Sequence, residues 1–374
     1  MKYDFLIIGS GLFGATFARI VTDAGYKVKI LEARNHIGGN VFTEDVEGVT
    51  VHKYGPHLFH TGNEAIWKFV HRFSEFNDYH HKVKANYDGE ILSLPFNMET
   101  YRQLWGCLTP AEAKVELDKR KVAIANPTNL EEWCLSQVGE EIYQKLVYGY
   151  TKKHWMRDPK QLPASIIRRL PLRMTYDDNY FNDRYQGIPV DGYTKLIENM
   201  IGDIPVKLNT DFFEDDVRSS WKTIANKLVY SGPIDQYYDY KFGDLEYRSL
   251  EFKNTIHDGD VQGMGQMNYT SMSVPYTRVV EHKHFYFAAS HLKSVVTHEY
   301  PVEWKRGLPR YYPINDQRNT ELYNKYKHES QKEDDVIIGG RLGRYMYFDM
   351  DQTIGNAIHL AEREIKHVDQ QCSG

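Results

Sequence analysis

Apolar and polar positions change period several times along the chain, and each change marks an element. Residues 3–8 form a short apolar run ending in glycine, the pattern of a strand buried on both faces. Gly9, Gly11 and Gly14 follow in GSGLFG, and over 13–24 Phe17, Ala18 and Val21 recur at helical spacing until Gly25 stops the helix. A second apolar run over 26–31 ends on Glu32. Strand, glycine turn, helix and strand in this order predict a nucleotide-binding βαβ unit over 2–40. Gly9 makes the tight turn, Gly11 clears the approach of a pyrophosphate, and Gly14 brings the helix close to the sheet. Glu32 stands where a carboxylate accepts both ribose hydroxyls and disfavours a 2′-phosphate. Ile37-Gly38-Gly39-Asn40 then offers a second stretch of bare backbone, either an ordinary tight turn or the place where a large, permanently seated cofactor meets the chain.

Further along, alternation predicts hairpins over 44–52 around Gly48 and over 82–94 around Asp88-Gly89, with a helix over 63–76 whose inner face is Ile66, Phe69, Val70 and Phe73. Gly55-Pro56 breaks the segment KYGPHLFHT, so His57 and His60 fall on a loop or short turn. They are read as neutral imidazoles lining a pocket, or as loop-packing histidines. No third ligand and no HExxH pattern accompany them, which argues against a metal site.

From residue 97 the period becomes helical, over 104–133 and 138–150, interrupted at Thr109-Pro110, Asn126-Pro127 and Gly139; residues 97–200 read as mostly helical and inserted into the nucleotide lobe. Within YQKLVYGYTKKHWMRD, Gly149 reads as a break, after which Tyr150 and Trp155 either stack on a planar ring or pack a helix end. Residues 167–192 lose helical period while concentrating arginine, tyrosine and proline, the texture of a ligand wall with guanidinium forks for an anion.

Beyond 203 short strands dominate, at 206–208, 224–230 and 245–252, with a sharp turn at 231–235. A run over 276–287 reads as a strand along which Arg278, His282 and His284 alternate. An arginine in that half-buried setting needs either a protein carboxylate or a ligand phosphate. Finally, 336–338 is a buried strand, followed by Gly339-Gly340-Arg341-Leu342-Gly343, an aromatic stretch, and a helix starting near Asp349 or Asp351. The end of the chain therefore returns to the first lobe and turns a helix N-terminus toward the same cofactor. The polar tail 367–374 is expected to be disordered.

Composition narrows the function classes. With 374 residues, 41% hydrophobic, the chain can bury a core in two or three lobes. A net charge of −5 argues against nucleic acid as the main partner. No window approaches a membrane span, and Met1-Lys2 leads directly into the first strand, so a cytoplasmic protein without a signal peptide is expected. Cys107, Cys134 and Cys372 are too unevenly spaced for a disulfide framework or a metal cluster.

GSGLFG with EARNHIGGN, YGPHLFHT, GYTKKHW, RRLPLR with DDNYFNDRYQGIPVDGY, SGPIDQYY, TRVVEHKHF and GRLGRYMYFDMDQTI resemble, in order and through nearly the whole chain, the UDP-galactopyranose mutase family. Together with the element pattern, the resemblance implies an α/β fold of three parts. These are an FAD-binding Rossmann-like domain from 1–80, 210–240 and 325–370, an inserted, mostly helical substrate domain at 97–200, and a mainly antiparallel β-sheet domain from 81–96 and 245–320. It also implies a noncovalent FAD, active when reduced, and interconversion of UDP-galactopyranose and UDP-galactofuranose without net redox change. In that chemistry flavin N5 attacks the sugar C1, UDP leaves but stays clamped, the ring opens as an iminium adduct, and O4 recloses on C1.

Carried onto this chain, the resemblance gives a cofactor side of Gly9, Gly11, Leu12, Phe13, Gly14, Glu32, Arg34, Gly39, Asn40, His57, His60, Arg341, Tyr347, Asp349, Met350 and Thr353. Arg169 and Arg278 match the pair that holds the diphosphate. Tyr150, Trp155, Asn179, Tyr180, Tyr312 and Tyr347 match the wall around the nucleotide, and His57 and His60 lie near flavin and sugar. His60 also matches the galactose-specific form, which implies a preference for galactose over its N-acetyl derivative. A cellular reductant such as NAD(P)H or reduced flavin, and a homodimer, are implied as partners. Two other classes remain, a flavin amine oxidase or desaturase and a noncatalytic nucleotide-sugar binder; substrates of the former seldom carry a diphosphate, so Arg169 and Arg278 discriminate against it.

Overall fold

The computed structural model describes residues 2–167, 171–214, 216–286 and 292–372. A parallel five-stranded sheet forms its first layer, in the order Val336–Ile338, Ala225–Tyr230, Tyr3–Ile8, Val28–Leu31 and Val206–Lys207. Tyr3–Ile8 is the middle strand, and its side chains alternate between two cores. Phe5 and Ile7 face the cluster that contains the helix Leu12–Asp23, while Leu6 faces Phe212, Trp221 and Leu228 on the opposite side. Parallel strands buried on both faces must be apolar throughout, which is why this run was conspicuous in the sequence.

A second sheet of seven strands stands beside it, ordered Tyr312–Pro313, Tyr247–Asp258, Lys293–Glu303, Arg278–Glu281, Gln266–Tyr269, Val83–Tyr87 and Glu90–Leu94. Its pairings are antiparallel except for Gln266–Tyr269 against Val83–Tyr87. On its far end Val83, Ala85, Leu92 and Leu94 pack against the helices Met98–Trp105, Pro110–Arg120 and Leu130–Ile142, sharing one core with Tyr143, Leu146 and Val147. Asn97 and Thr109 close capping boxes at the first two of these helices, so their polar starts are locally encoded. No helix among the described residues is long and apolar enough to cross a membrane.

The structure departs from the sequence expectations at several places. The run 276–287 is not one strand. Arg278–Glu281 is extended, but His282–Phe285 is a 3-10 turn that buries both His282 and Phe285 at a spacing of three. Gly149 is not a break either: its backbone is helical, with φ −67° and ψ −38°, and a π-helical stretch Tyr143–Tyr148 runs directly into the helix Gly149–Trp155. Glycine is needed there because a Cβ would lie 2.2 Å from the carbonyl oxygen of Thr270. The helix Gly192–Ile201 packs in the first core with Leu12–Asp23, so packing places it outside the helical lobe that was expected to reach residue 200. The helix Gln317–Ser330 straddles the expected boundary at 325. The last helix, Met350–Cys372, continues through most of the tail expected to be disordered.

Candidate functional site

The glycine turn shapes one wall of a cavity of about 430 Å³ at the C-terminal ends of the parallel strands. Gly9 takes φ +98°, a backbone open to glycine, and a Cβ on Gly14 would sit 2.0 Å from the carbonyl oxygen of Gly9. Gly11 lies against Gly39, where a Cβ would be 3.6 Å from the Gly39 Cα, so the two glycine-bearing segments meet at bare backbone. Gly11 also caps the helix Leu12–Asp23 without any side-chain hydrogen bond. Its first N–H groups are thereby left for a ligand, with the positive end of the helix dipole behind them.

Around this turn, Glu32 is buried and accepts from Ser10 N (2.8 Å), Ser10 Oγ (2.7 Å) and Arg34 N (3.0 Å). An ionised carboxylate offers about four acceptor positions, so one remains for a hydroxyl from a ligand. Arg34 lies over the Tyr54 ring and donates Nη2 to Asn40 Oδ1 at 2.9 Å, yet its buried Nη1 has no partner among the described residues. Bare glycine backbone, an unspent helix N-terminus, an acceptor carboxylate and an orphan guanidinium nitrogen fit the adenosine diphosphate half of a dinucleotide.

The cavity is lined by Gly9, Gly11, Leu12, Phe13, Gly14, Glu32, Arg34, Gly39, Asn40, His57, Arg341, Met350 and Thr353, all of them predicted from the sequence. It is not lined by His60, Tyr347 or Asp349. His60 is the central residue of the strand Phe59–Thr61, whose neighbours Phe59 and Thr61 are buried. Alternation therefore sends His60 the other way, where its ring stacks on Phe181 at 3.7 Å and Nδ1 meets Asp183 Oδ2 at 2.6 Å. Asp349 serves the last helix, its carbonyl oxygen accepting from Thr353 N and Oγ1. Sequence reading missed the far wall, which includes residues 210–213, Gln236 and the turn at 308–310. Arg310 there donates to Gln236 Oε1 and Tyr240 OH, and no periodicity or motif marks it.

A second group of predicted residues converges on Arg278. Its guanidinium uses Nε (3.0 Å) and Nη2 (2.9 Å) on Glu299 Oε1, and Nη2 also donates to Tyr312 OH at 3.0 Å. Nη1 has no partner among the described residues. Burial opposes the charge on Arg278, but Glu299, followed by the Tyr150, Tyr312 and Tyr347 hydroxyls, holds its pKa well above the ordinary value. Burial pushes the Glu299 carboxyl up, and Arg278 pulls it back. Of the two partners left open by the sequence, the carboxylate is thus present.

Aromatic contacts link this arginine to the helix Gly149–Trp155. Tyr150 stacks with His154 at 5.7 Å, His154 meets Tyr312 at 4.8 Å, and Tyr312 stacks on Tyr347 at 5.3 Å. Arg341 lies over the Tyr347 ring at 5.0 Å and joins this wall to the nucleotide cavity. Trp155 packs edge-on to His154 and, with Tyr347, lines a smaller cavity of about 170 Å³. Tyr180 sits edge-on to His81, and its N–H donates to the His81 carbonyl oxygen at 2.7 Å. Asn179 is held through its backbone, donating to Asp177 Oδ1 and accepting from Arg173. Arg169 lies outside the described residues, as does its neighbour Arg168.

His57 bridges the two regions. Burial lowers it to about 4, the Gly55 contact works against that, and Arg341 and Arg278 lower it further. Its Nδ1 bonds to the Gly55 carbonyl oxygen at 2.8 Å, which fixes the proton on Nδ1 and leaves Nε2 as an acceptor. His81, a residue the sequence did not single out, is likewise buried and neutral, lowered to about 3 by burial and then by Arg278.

A parallel nucleotide-binding sheet joined to an antiparallel sheet, with an aromatic and arginine wall beside the nucleotide cavity, defines an enzyme of the flavin-binding Rossmann-like class. The family model for UDP-galactopyranose mutase matches residues 145–347, and that for NAD(P)-binding Rossmann-like domains matches 7–73. Over 97% of its length the chain is 42% identical to dTDP-fucopyranose mutase of Escherichia coli, covering 98% of that protein. It is 40% identical to a probable UDP-galactopyranose mutase of Klebsiella pneumoniae, over 98% of this chain and 96% of the other. In fold it is similar to a reduced UDP-galactopyranose mutase crystal structure, at a TM-score of 0.76 and 14% identity over 98% of this chain and 96% of that one. The chain belongs to the UDP-galactopyranose mutase family of isomerases.

Proposed function

We propose that the protein interconverts the pyranose and furanose forms of a nucleoside-diphosphate hexose, with UDP-galactose as substrate and FAD as the resident cofactor. The observation that carries this reading is Arg278, whose Nε and Nη2 are committed to Glu299 and Tyr312 while Nη1 remains for an anion, beside a wall that reaches the nucleotide cavity through Arg341. Glycine backbone at Gly9, Gly11, Gly14 and Gly39, with Glu32, Arg34 and Asn40, would hold the adenosine diphosphate of FAD. Met350 and Thr353, at the start of the last helix, would face its remainder. Bound and reduced, FAD supplies the nucleophile for the anomeric carbon, and no net oxidation results.

The chain's own residues bind and orient. Arg278 and, by resemblance, Arg169 hold the diphosphate while it is detached from the sugar, where electrostatic terms gain strength in an enclosed site. Tyr312 and Tyr347 present hydroxyls beside that anion. Tyr150 and Trp155 offer aromatic faces for the base, and neutral His57 offers Nε2 as a proton acceptor close to Arg278 and Arg341. His60 contributes from behind Phe181 by fixing that ring. A cellular reductant, a homodimer, a cytoplasmic setting and a three-lobed chain complete the reading, with the helical lobe ending before residue 192 in place of 200.

A specific observation favours a second substrate. The similarity to a dTDP-fucopyranose mutase equals that to a probable UDP-galactopyranose mutase within 2 percentage points, 42% against 40%. One experiment addresses both readings. The purified protein, FAD-loaded and reduced with dithionite under argon, is incubated separately with UDP-galactofuranose and dTDP-fucofuranose, and the pyranose form is measured with the flavin spectrum. Conversion without net flavin oxidation supports the mutase reading and the faster sugar identifies the substrate. Stoichiometric flavin reoxidation coupled to reduction of the sugar, with no pyranose formed, would refute it.

A further inference from the structure

Lys153 is buried, 8% exposed, and carries its charge one helical turn beyond Tyr150 on the helix Gly149–Trp155. Its ammonium donates to the carbonyl oxygens of Tyr269 (2.9 Å), Val274 (3.2 Å) and Tyr276 (2.9 Å). An ammonium has three N–H groups, and all three are used. The three carbonyls belong to one turn, between the strands Gln266–Tyr269 and Arg278–Glu281, closed at its neck by Tyr269 N donating to Thr277 O at 2.8 Å. Tyr276 stands two residues before Arg278.

The same turn is held from a second side. A Cβ on Gly149 would meet the Thr270 carbonyl oxygen, so helix and turn touch at bare backbone. Thr270 Oγ1 donates to the Lys145 carbonyl oxygen at 2.6 Å, in the π-helical stretch that precedes the helix. On the outer side Ser273 Oγ donates to exposed Asp88. No carboxylate lies within salt-bridge distance of the Lys153 ammonium among the described residues, and burial lowers it to about 8 with Asp88 pulling it back. A buried charge held by carbonyl dipoles costs free energy that a leucine or methionine would not, so packing alone does not account for a lysine here.

We infer that Lys153 is a positioning residue: by capturing three carbonyls of the turn that leads into Arg278, it sets the spacing between the aromatic face of Tyr150 and Trp155 and the guanidinium that receives the diphosphate. The inference rests on the reading of Arg278 given above. It makes Lys153 act through Arg278, without contact to substrate, so its effect must depend on that arginine.

A double-mutant cycle on FAD-loaded protein reads this dependence, with UDP and dTDP affinities measured in parallel by calorimetry. Lys153→Met is expected to weaken both nucleotides about tenfold and to raise KM more than it lowers kcat, with flavin occupancy and spectrum unchanged. In an Arg278→Ala background the same substitution should cost less than about twofold. An equal penalty in both backgrounds, or unchanged affinity in the first, would overturn the inference. If Lys153→Met does not yield folded protein, Thr270→Val, which removes one bond from the same turn, carries the test: about threefold weaker binding that vanishes without Arg278 supports the inference, and an additive or absent effect overturns it. Arg278→Ala binding UDP and dTDP as tightly as wild type would overturn the functional reading itself, a result separable from additivity at Lys153.

Discussion

Arg278→Ala is the sharpest perturbation of this site, because the arginine answers both to a ligand and to the protein. Toward the ligand, Nη1 is what Glu299 and Tyr312 leave, enough for one or two charge-assisted hydrogen bonds of about 1.5–3 kcal/mol each. A loss on the order of 2–5 kcal/mol in transition-state stabilisation follows, roughly 30- to 4,000-fold in kcat/KM. The diphosphate must stay in place after it leaves the sugar, so kcat should fall as well as affinity. Toward the protein, the substitution leaves Glu299 buried without its cation. Removing one member of a buried pair costs about 3–5 kcal/mol unless the remaining carboxyl takes a proton.

That second cost has a pH signature. Burial raises Glu299 and Arg278 is the group that opposes it, so without the arginine the folded pKa of the variant lies above the unfolded one. The folded state then binds more protons between those two values, and stability falls as pH rises through that window. The Tm deficit of Arg278→Ala should therefore shrink toward acid pH. Adding Glu299→Gln should remove the pH dependence of the deficit without restoring turnover, and Arg278→Lys should recover only part of it, since an ammonium lacks the planar fork. Steady-state kinetics on reduced, FAD-replete protein, with thermal melts from pH 5 to pH 8, read both effects. A kcat/KM within a few fold of wild type would sink the diphosphate role.

Gly14→Val should abolish FAD retention, because even a Cβ there falls 2.0 Å from the Gly9 carbonyl oxygen and the helix must move off the sheet; flavin occupancy equal to wild type after purification refutes it. Arg34→Met, which removes the orphan guanidinium nitrogen without opening the glycine turn, should weaken FAD by about tenfold and leave the Kd for UDP unchanged. Gly149→Ala should disturb nucleotide binding while flavin occupancy persists, since its Cβ strikes the turn before Arg278; equal UDP affinity in variant and wild type would count against it. His60 is expected to favour galactose over its N-acetyl derivative, and comparable kcat/KM for the two furanose nucleotides would remove that expectation.

What could be read in the sequence follows from how local each signal is. Tyr3–Ile8, the glycine turn and Glu32 were legible because one short segment supplies strand, turn and helix, each with its own residue preference. Arg278 was legible only as an unpaired demand. Its carboxylate, Glu299, lies 21 positions away on a neighbouring strand, in register with it, and strand pairing is not written in the spacing of either residue. His60 is less legible still. Its motif placed it by the cofactor, yet alternation along Phe59–Thr61 commits the two flanking side chains to the core and turns the histidine to Phe181.

Glycines misled in a different way. A glycine in sequence signals either a backbone that must bend or a backbone that must be approached, and the two demands look identical until the neighbour is known. Gly9 is the first kind, with φ +98°, whereas Gly149 is the second, helical and in contact with the Thr270 carbonyl oxygen. Reading Gly149 as a break separates Tyr150 and Trp155 from the helices before them. With the break removed, the π-helical stretch, Gly149 and Lys153 become one continuous surface pressed against the turn that delivers Arg278. The aromatic face and the arginine then belong to a single mechanical unit, and substitutions on either side of that contact should be coupled rather than additive.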